Sequence, residues 1–155
     1  MRISAKVDYA VRAAAELAQR SPDRGAVATT GETLGDAQGI PTKYLESILA
    51  ELRRSGIIGS RRGSAGGYWL ARPASEVSIA DIVRAVEGPL ADVRGEAPEE
   101  LSYDGPAQPL ERVWIATRAS VRRVLEATTL AHLVEGELPA EVTALLADDQ
   151  AWSRR

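Results

Sequence analysis

Between Thr30 and Pro73 two short helical segments, a tight turn and a glycine-rich hairpin follow one another without a break. Thr30 is a candidate N-cap for a helix over 31–38, and Gly39 a left-handed stop. A second helix opens at Ile40-Pro41, with Pro41 suited to its first position. Tyr44, Leu45, Ile48, Leu49 and Leu52 form its apolar stripe, and Gly56 ends it. Strand-like runs at 57–61 and 67–71 then flank the tip Arg62-Gly63-Ser64-Ala65-Gly66-Gly67, and Pro73 closes the unit. Paired short helices are common, but a hairpin directly after the second is not. The order predicts a winged helix-turn-helix within a mainly α fold that carries one small β-hairpin.

The flanks extend this pattern. Residues 4–19 read as an alanine-rich helix with Val7, Val11, Ala14, Leu17 and Ala18 on one face, Ser4 as cap and a turn at Ser21-Pro22-Asp23-Arg24-Gly25. Ser78 and Asp81 make a capping-box start for a helix that stops at Gly88. Residues 89–109 are rich in Pro, Gly and acid, which predicts a loop of about twenty residues. A long helix follows from Leu110, with Leu110, Val113, Trp114, Thr117, Val121, Val124 and Leu125 on one side and Arg118, Arg122 and Arg123 on the other. Thr129 caps a short helix, and Pro139 opens a last one near 140–147 with a frayed end. The expected division is a winged unit 1–88, an acidic loop 89–109, a long helix with its short successor 110–135, and a tail helix 136–155.

Charge divides unevenly along these units. Residues 1–72 hold 11 Lys and Arg against 7 Asp and Glu, whereas residues 73–155 hold 8 against 15. A polyanion partner would therefore meet the front half. The absence of cysteine excludes disulfides, thiolate nucleophiles and cysteine-ligated metals. The opening MRISAKVDYA has no signal-peptide pattern, and no window approaches the ~20 apolar residues of a membrane span. The cytoplasm is the expected compartment.

The run GIPTKYLESILAELRRSGIIGSRRGSAGGYWLARP resembles the signature of the Rrf2 family of bacterial winged-helix regulators, the IscR, NsrR and CymR group. The opening MRISAKVDYAVRA resembles the family's first helix, and SIADIVRAVEG followed by a loop and a long helix ending in TLAHL extends the match to about residue 135. The resemblance implies a homodimeric transcriptional regulator, most simply a repressor. Its long helices, here 110–127, would cross one another, and each second helix and wing would meet half of a pseudo-palindromic operator in double-stranded DNA.

Physical chemistry selects the reading surface. A helix with its side chains fits the major groove, and in helix-turn-helix proteins the N-terminal residues reach base edges. Here those residues are Thr42, Lys43, Tyr44, Glu46 and Ser47. Lys43 can donate to guanine or phosphate. Glu46 can accept from the cytosine amino group, or it is a solvated helix charge. Tyr44 divides between core and phosphate. On the wing, Arg62 resembles the family's minor-groove arginine, while Ser60, Arg61 and Ser64 suit phosphate, and the glycines would allow close backbone approach. Arg2 and Ser4, at the start of the first helix, are further phosphate candidates.

Sensing members of the family hold an iron–sulfur cluster through cysteines in the loop that corresponds to 89–109. Without thiolates no cluster, and no other cofactor, is expected here. Asp8, near where one member supplies an aspartate ligand, is then a surface or interdomain charge. Asp92, Glu96, Glu99, Glu100 and Asp104 match no calcium-loop spacing and read as a solvated acidic loop, and His132 as a packed or surface residue. A small effector, a protein partner or constitutive repression remain as modes of control. A cluster-free member of the family senses cysteine status through a partner enzyme, which points by analogy to sulfur metabolism. GSAGG lacks the Lys and Ser/Thr of a phosphate loop, and a single histidine places no catalytic triad, so no enzymatic activity is expected. The alternative to a regulator is a protein-interaction module built on a degenerate winged helix.

Overall fold

The computed structural model describes residues 2–20 and 28–153. The turn expected at Ser21–Gly25 lies outside them. Helices α1 (Ala5–Arg20), α2 (Gly31–Gln38) and α3 (Thr42–Arg54) precede an antiparallel hairpin of β1 (Ile58–Arg61) and β2 (Gly67–Leu70), after which come α4 (Ile79–Glu87), α5 (Leu110–Ala127), α6 (Leu130–Glu135) and α7 (Ala140–Leu146). In the hairpin Ile58 faces Leu70 and Arg61 faces Gly67. This is the mainly helical winged architecture that the sequence predicts.

Local hydrogen bonding explains the helix ends. Ser4 Oγ accepts from Val7 N at 3.1 Å. The Thr30 side chain accepts from Thr33 N, and Gly39 closes α2 in the left-handed conformation, φ 60° and ψ 37°, with its N–H on Gly35 O. Pro41 stands at the N-cap of α3, one place earlier than expected, because its ψ of 129° is already extended. Ser78 and Asp81 form the full capping box of α4. The last expected helix is short, and a 3-10 turn over Asp149–Trp152 follows it.

The core is aliphatic and centred on the winged unit. Leu17, Leu34, Leu45, Ile48, Leu49, Leu52, Ile57, Ile58, Val77 and Ile82 are fully buried. Burying a Leu or Ile side chain contributes about 1.5–3 kcal/mol, so this cluster dominates stability. Leu130 of α6 lies in the same core, so this short helix packs with the winged unit although the sequence groups it with the long helix. Paired backbone bonds between Ile79 N and Thr128 O (2.8 Å) and between Leu130 N and Val77 O (2.9 Å) fix that return.

The 89–109 segment is not simply a solvated loop. Leu90, Pro98 and Leu101 are buried, and two 3-10 turns, Pro98–Glu100 and Gly105–Ala107, give it shape. Apolar side chains at three points hold it down while its acids face out.

Candidate nucleic-acid interface

The first turn of α3 is exposed because its apolar stripe turns the other way. Leu45, Ile48, Leu49 and Leu52 are buried, which leaves Thr42, Lys43, Tyr44, Glu46 and Ser47 in solvent. The Tyr44 ring, 57% exposed, meets Tyr9 of α1 at a centroid distance of 6.2 Å and an interplanar angle of 54°. It is thus steered from below by α1 and not inserted in the core. The Ser47 hydroxyl donates to Tyr44 O at 3.0 Å, which leaves its oxygen lone pairs to face a partner.

The wing is tied to the other end of α3 through Arg53 and to the start of α2 through Thr29. Arg62 and Ser64 are exposed at its tip. Arg61 is also exposed, but its Nε donates to Ala65 O at 2.8 Å, so part of this guanidinium braces the tip. Ser60 is half-buried and accepts from Arg53 Nη1 at 3.3 Å. Arg53, which ties the end of α3 to the hairpin, was not singled out in the sequence because it lies off the N-terminal turn. Arg2 is exposed; Ser4 is half-buried as the cap of α1, so its hydroxyl oxygen is already engaged.

Glycine serves packing here. A Cβ on Gly66 would lie 2.6 Å from Arg61 O, and one on Gly67 would lie 2.7 Å from Thr29 O, whereas at Gly63, with φ of 103°, nothing stands within 4 Å. Close approach to a partner is therefore open only at Gly63.

Ion pairing leaves the cations of this surface free, as it does Arg94, Arg112 and Arg123 elsewhere among the described residues. Among the described residues Lys43, Arg61 and Arg62 make no ion pair. Elsewhere Arg12 pairs with Asp8 at 3.1 Å, Arg20 with Glu16 at 2.5 Å, Arg84 with Glu126, and Arg118 with Glu99 at 2.6 Å. Free cations attract phosphates without first breaking a protein salt bridge. Asp8 is the surface charge expected of it, with Arg12 as its partner.

The long helix carries the other candidate residues. No residue of α5 is buried. Val113 and Thr117 are exposed, whereas Leu110, Trp114, Val121, Val124 and Leu125 are half-buried within the protomer. The outward stripe therefore runs through Arg112, Val113, Ala116, Thr117 and Ser120, which line one shallow groove with Pro109. Arg118, expected on the solvent side, is turned inward to 15% exposure by its bond to Glu99. That bond, with a backbone hydrogen bond of Glu99 itself, holds the Glu99 carboxyl below its ordinary value. His132 serves as a cap: its Nδ1 accepts from Thr129 N at 3.1 Å.

A helix-turn-helix followed at once by a hairpin wing defines a winged-helix DNA-binding transcriptional regulator. The particular family follows: residues 3–136 match the Rrf2 family, described as iron-dependent transcriptional regulators, and the chain belongs to it. It is 51% identical over 149 residues to an HTH-type transcriptional regulator of Mycobacterium tuberculosis, covering 96% of this chain and 90% of that one. Identity to the regulator CymR of Bacillus subtilis is 33% over 133 residues, covering 86% and 89% of the two chains. The solved structure of B. subtilis CymR, the global cysteine regulator, superposes with a TM-score of 0.72 at 32% identity over 88% of this chain and 98% of that one. IscR of T. potens gives 0.69 at 28% identity over 100% and 93%. These relatives are regulators of transcription and not enzymes. No described helix is long and apolar enough to cross a membrane.

The iron in the family's description finds no cysteine here. The chain holds no Cys and one His, and among the described residues no three His, Cys, Asp or Glu side chains converge. The residues present do not fit a cysteine-held cluster.

Proposed function

We propose that the chain is a homodimeric repressor that binds a pseudo-palindromic operator without an iron–sulfur cluster. The first turn of α3 enters the major groove, where Thr42, Lys43, Tyr44, Glu46 and Ser47 face bases and phosphates, and Arg62 enters the flanking minor groove. Ser60, Arg61, Ser64, Arg2 and Ser4 contribute phosphate contacts from the wing and the start of α1. The observation that carries this reading is the exposure of Lys43, Arg61 and Arg62 with no carboxylate partner among the described residues, on the two adjacent elements a winged helix presents.

The dimer rests on α5. An 18-residue helix with no buried residue and Val113 51% exposed gains stability when a second copy covers its outer stripe. Leu110, Val113, Trp114, Thr117, Val121, Val124 and Leu125 belong to that seam or support it from within. The likeness to a global cysteine regulator supports a role in sulfur metabolism. A cleft of about 400 Å³ between the ends of α3 and α4, and so within the winged unit and not against the long helix, is lined by Glu51, Arg54, Ser55, Arg84 and Val86 and offers a place for a small effector; a protein partner and constitutive repression are the other modes of control.

Binding of duplexes enriched from a random-sequence pool tests the reading. An affinity at least ~10³ above that for an unrelated duplex, with a palindromic consensus, supports it. Equal affinity for every duplex would favour a protein-interaction module.

A further inference from the structure

We propose that Gln38 is a positioning residue for DNA reading: with Arg12 and Glu16 it forms a polar strut that sets the angle at which α3 leaves the turn. This rests on the reading of α3 as the groove-facing helix. Gln38 is the last residue of α2, and only Gly39, Ile40 and Pro41 separate it from Thr42. Three bonds from α1 converge on it. The Arg12 guanidinium donates to Gln38 O through Nη2, and Arg12 Nε donates to Gln38 Oε1 at 3.4 Å. Gln38 Nε2 in turn donates to Glu16 Oε2 at 2.7 Å.

The strut is built to be rigid. The Glu16 side chain is nine-tenths buried, and its second oxygen accepts from Arg20 Nε at 2.5 Å. The Gln38 bond is the main cause that holds its carboxyl ionised against burial. Arg12 is fixed by Asp8 on one side and stacks over the Tyr9 ring at 5.7 Å on the other. Tyr9 then meets Tyr44. One arginine thus lies between the carbonyl before the turn and the aromatic pair after it, so the start of α3 is held from both sides.

The strut adds to stability, but the seating of α3 rests mainly on other contacts. The end of α2 is already closed by Gly39 N–H on Gly35 O and by Ile40 N on Gly35 O at 2.9 Å, and α3 is seated by four buried aliphatic residues. What the strut adds besides is orientation, and orientation separates base reading from mere phosphate contact.

Gln38→Met keeps the length of the side chain and removes its hydrogen bonds. On a duplex that wild-type protein enriches from a random pool, the ratio of specific to nonspecific affinity should fall about tenfold, with binding to poly(dI-dC) little changed and the protein still cooperatively folded at a thermal midpoint a few degrees lower. Gln38→Glu places a second carboxylate beside Glu16. Near about pH 8 both carboxylates are ionised and repel, with only Arg12 and Arg20 beside them, so specificity should be poor there; toward about pH 5.5 one proton bridges the pair and specificity should recover, a dependence absent from wild type. Adding Glu16→Gln to Gln38→Glu restores an amide–carboxylate bond of reversed polarity and should restore the ratio near pH 8. The strut proposal is overturned if Gln38→Met keeps the wild-type ratio, if it loses both kinds of binding together with its folded state, or if the exchanged pair folds without recovering. Lys43→Ala and Arg62→Ala on the same duplexes keep the two readings apart. If they alone lower affinity, the strut fails and the surface stands; if neither does, the reading surface itself is wrong.

Discussion

Thr29 and Tyr68 exchange a reciprocal pair of backbone hydrogen bonds, Thr29 N to Tyr68 O at 2.9 Å and Tyr68 N to Thr29 O at 2.8 Å. The wing is thereby bonded to the residue just before the N-cap of α2. Gly67, next to Tyr68, has φ of 147° and no room for a methyl group against Thr29. Gly67→Ala should cost about 2–4 kcal/mol from clash and strain. Urea unfolding would measure this, with Gly63→Ala, at the open tip, costing less.

Arg62→Ala should lower affinity for the enriched duplex and relax preference at one groove position, by about 1–3 kcal/mol. Lys43→Ala should weaken binding to all sequences and reduce the salt slope by about 1 if the ammonium meets a phosphate. A fluorescence-anisotropy titration at several salt concentrations reads both. Unchanged slopes and preferences in both variants would falsify the assigned surface.

Glu16 carries an acid-stability signature. Its carboxyl lies below the ordinary glutamate value of 4.5, chiefly through the Gln38 hydrogen bond and further through Arg20, which together outweigh burial. A carboxyl depressed in the folded state stabilises above its unfolded pKa and loses that contribution as pH falls through the folded value. Glu16→Gln should therefore be less stable than wild type near neutrality, by about 1–3 kcal/mol, with the gap narrowing below pH 4.5. Chemical denaturation at a series of pH values checks the sign.

Placing a charge on the outer stripe of α5 should separate protomers. Ala116→Glu, at an exposed position, should sediment as a folded monomer and lose at least about tenfold in affinity for a palindromic duplex while keeping weak half-site binding. A dimer of unchanged stability would remove α5 from the interface.

Protein purified without oxygen should show no cluster absorbance at about 320–450 nm and no stoichiometric iron. A full complement of iron would reopen the question of its ligands.

What could be read from the sequence was what local bonding decides. The Thr30 and Ser78 caps, the Gly39 and Gly88 stops and the hairpin all depend on partners a few residues apart. The exposed first turn of α3 followed from its stripe of Leu45, Ile48, Leu49 and Leu52, whereas Tyr44, read into the same stripe, stays in solvent against Tyr9. The Arg12–Gln38–Glu16 strut was not visible, because its bonds span 22 and 26 residues and its members look like ordinary surface polar residues. The inward turn of Arg118 and the seating of the 89–109 segment by Leu90, Pro98 and Leu101 likewise depend on tertiary packing. The wing glycines were legible as necessary, but their main reason, the close backbone at Thr29 and Arg61, was not.

The middle and the C-terminal end of α5 are stitched to one body. Glu99 grips its middle through Arg118, Arg84 holds Glu126 near its end, and Thr128 and Leu130 re-enter beside α4. If α5 pairs two protomers, these ties limit how far each winged unit can swing about it, so the pair would behave as a stiff caliper. Its jaw width would be set by side-chain contacts far from any base. Lengthening the DNA between half-sites by even one step would then be met more by twisting the duplex than by bending the protein.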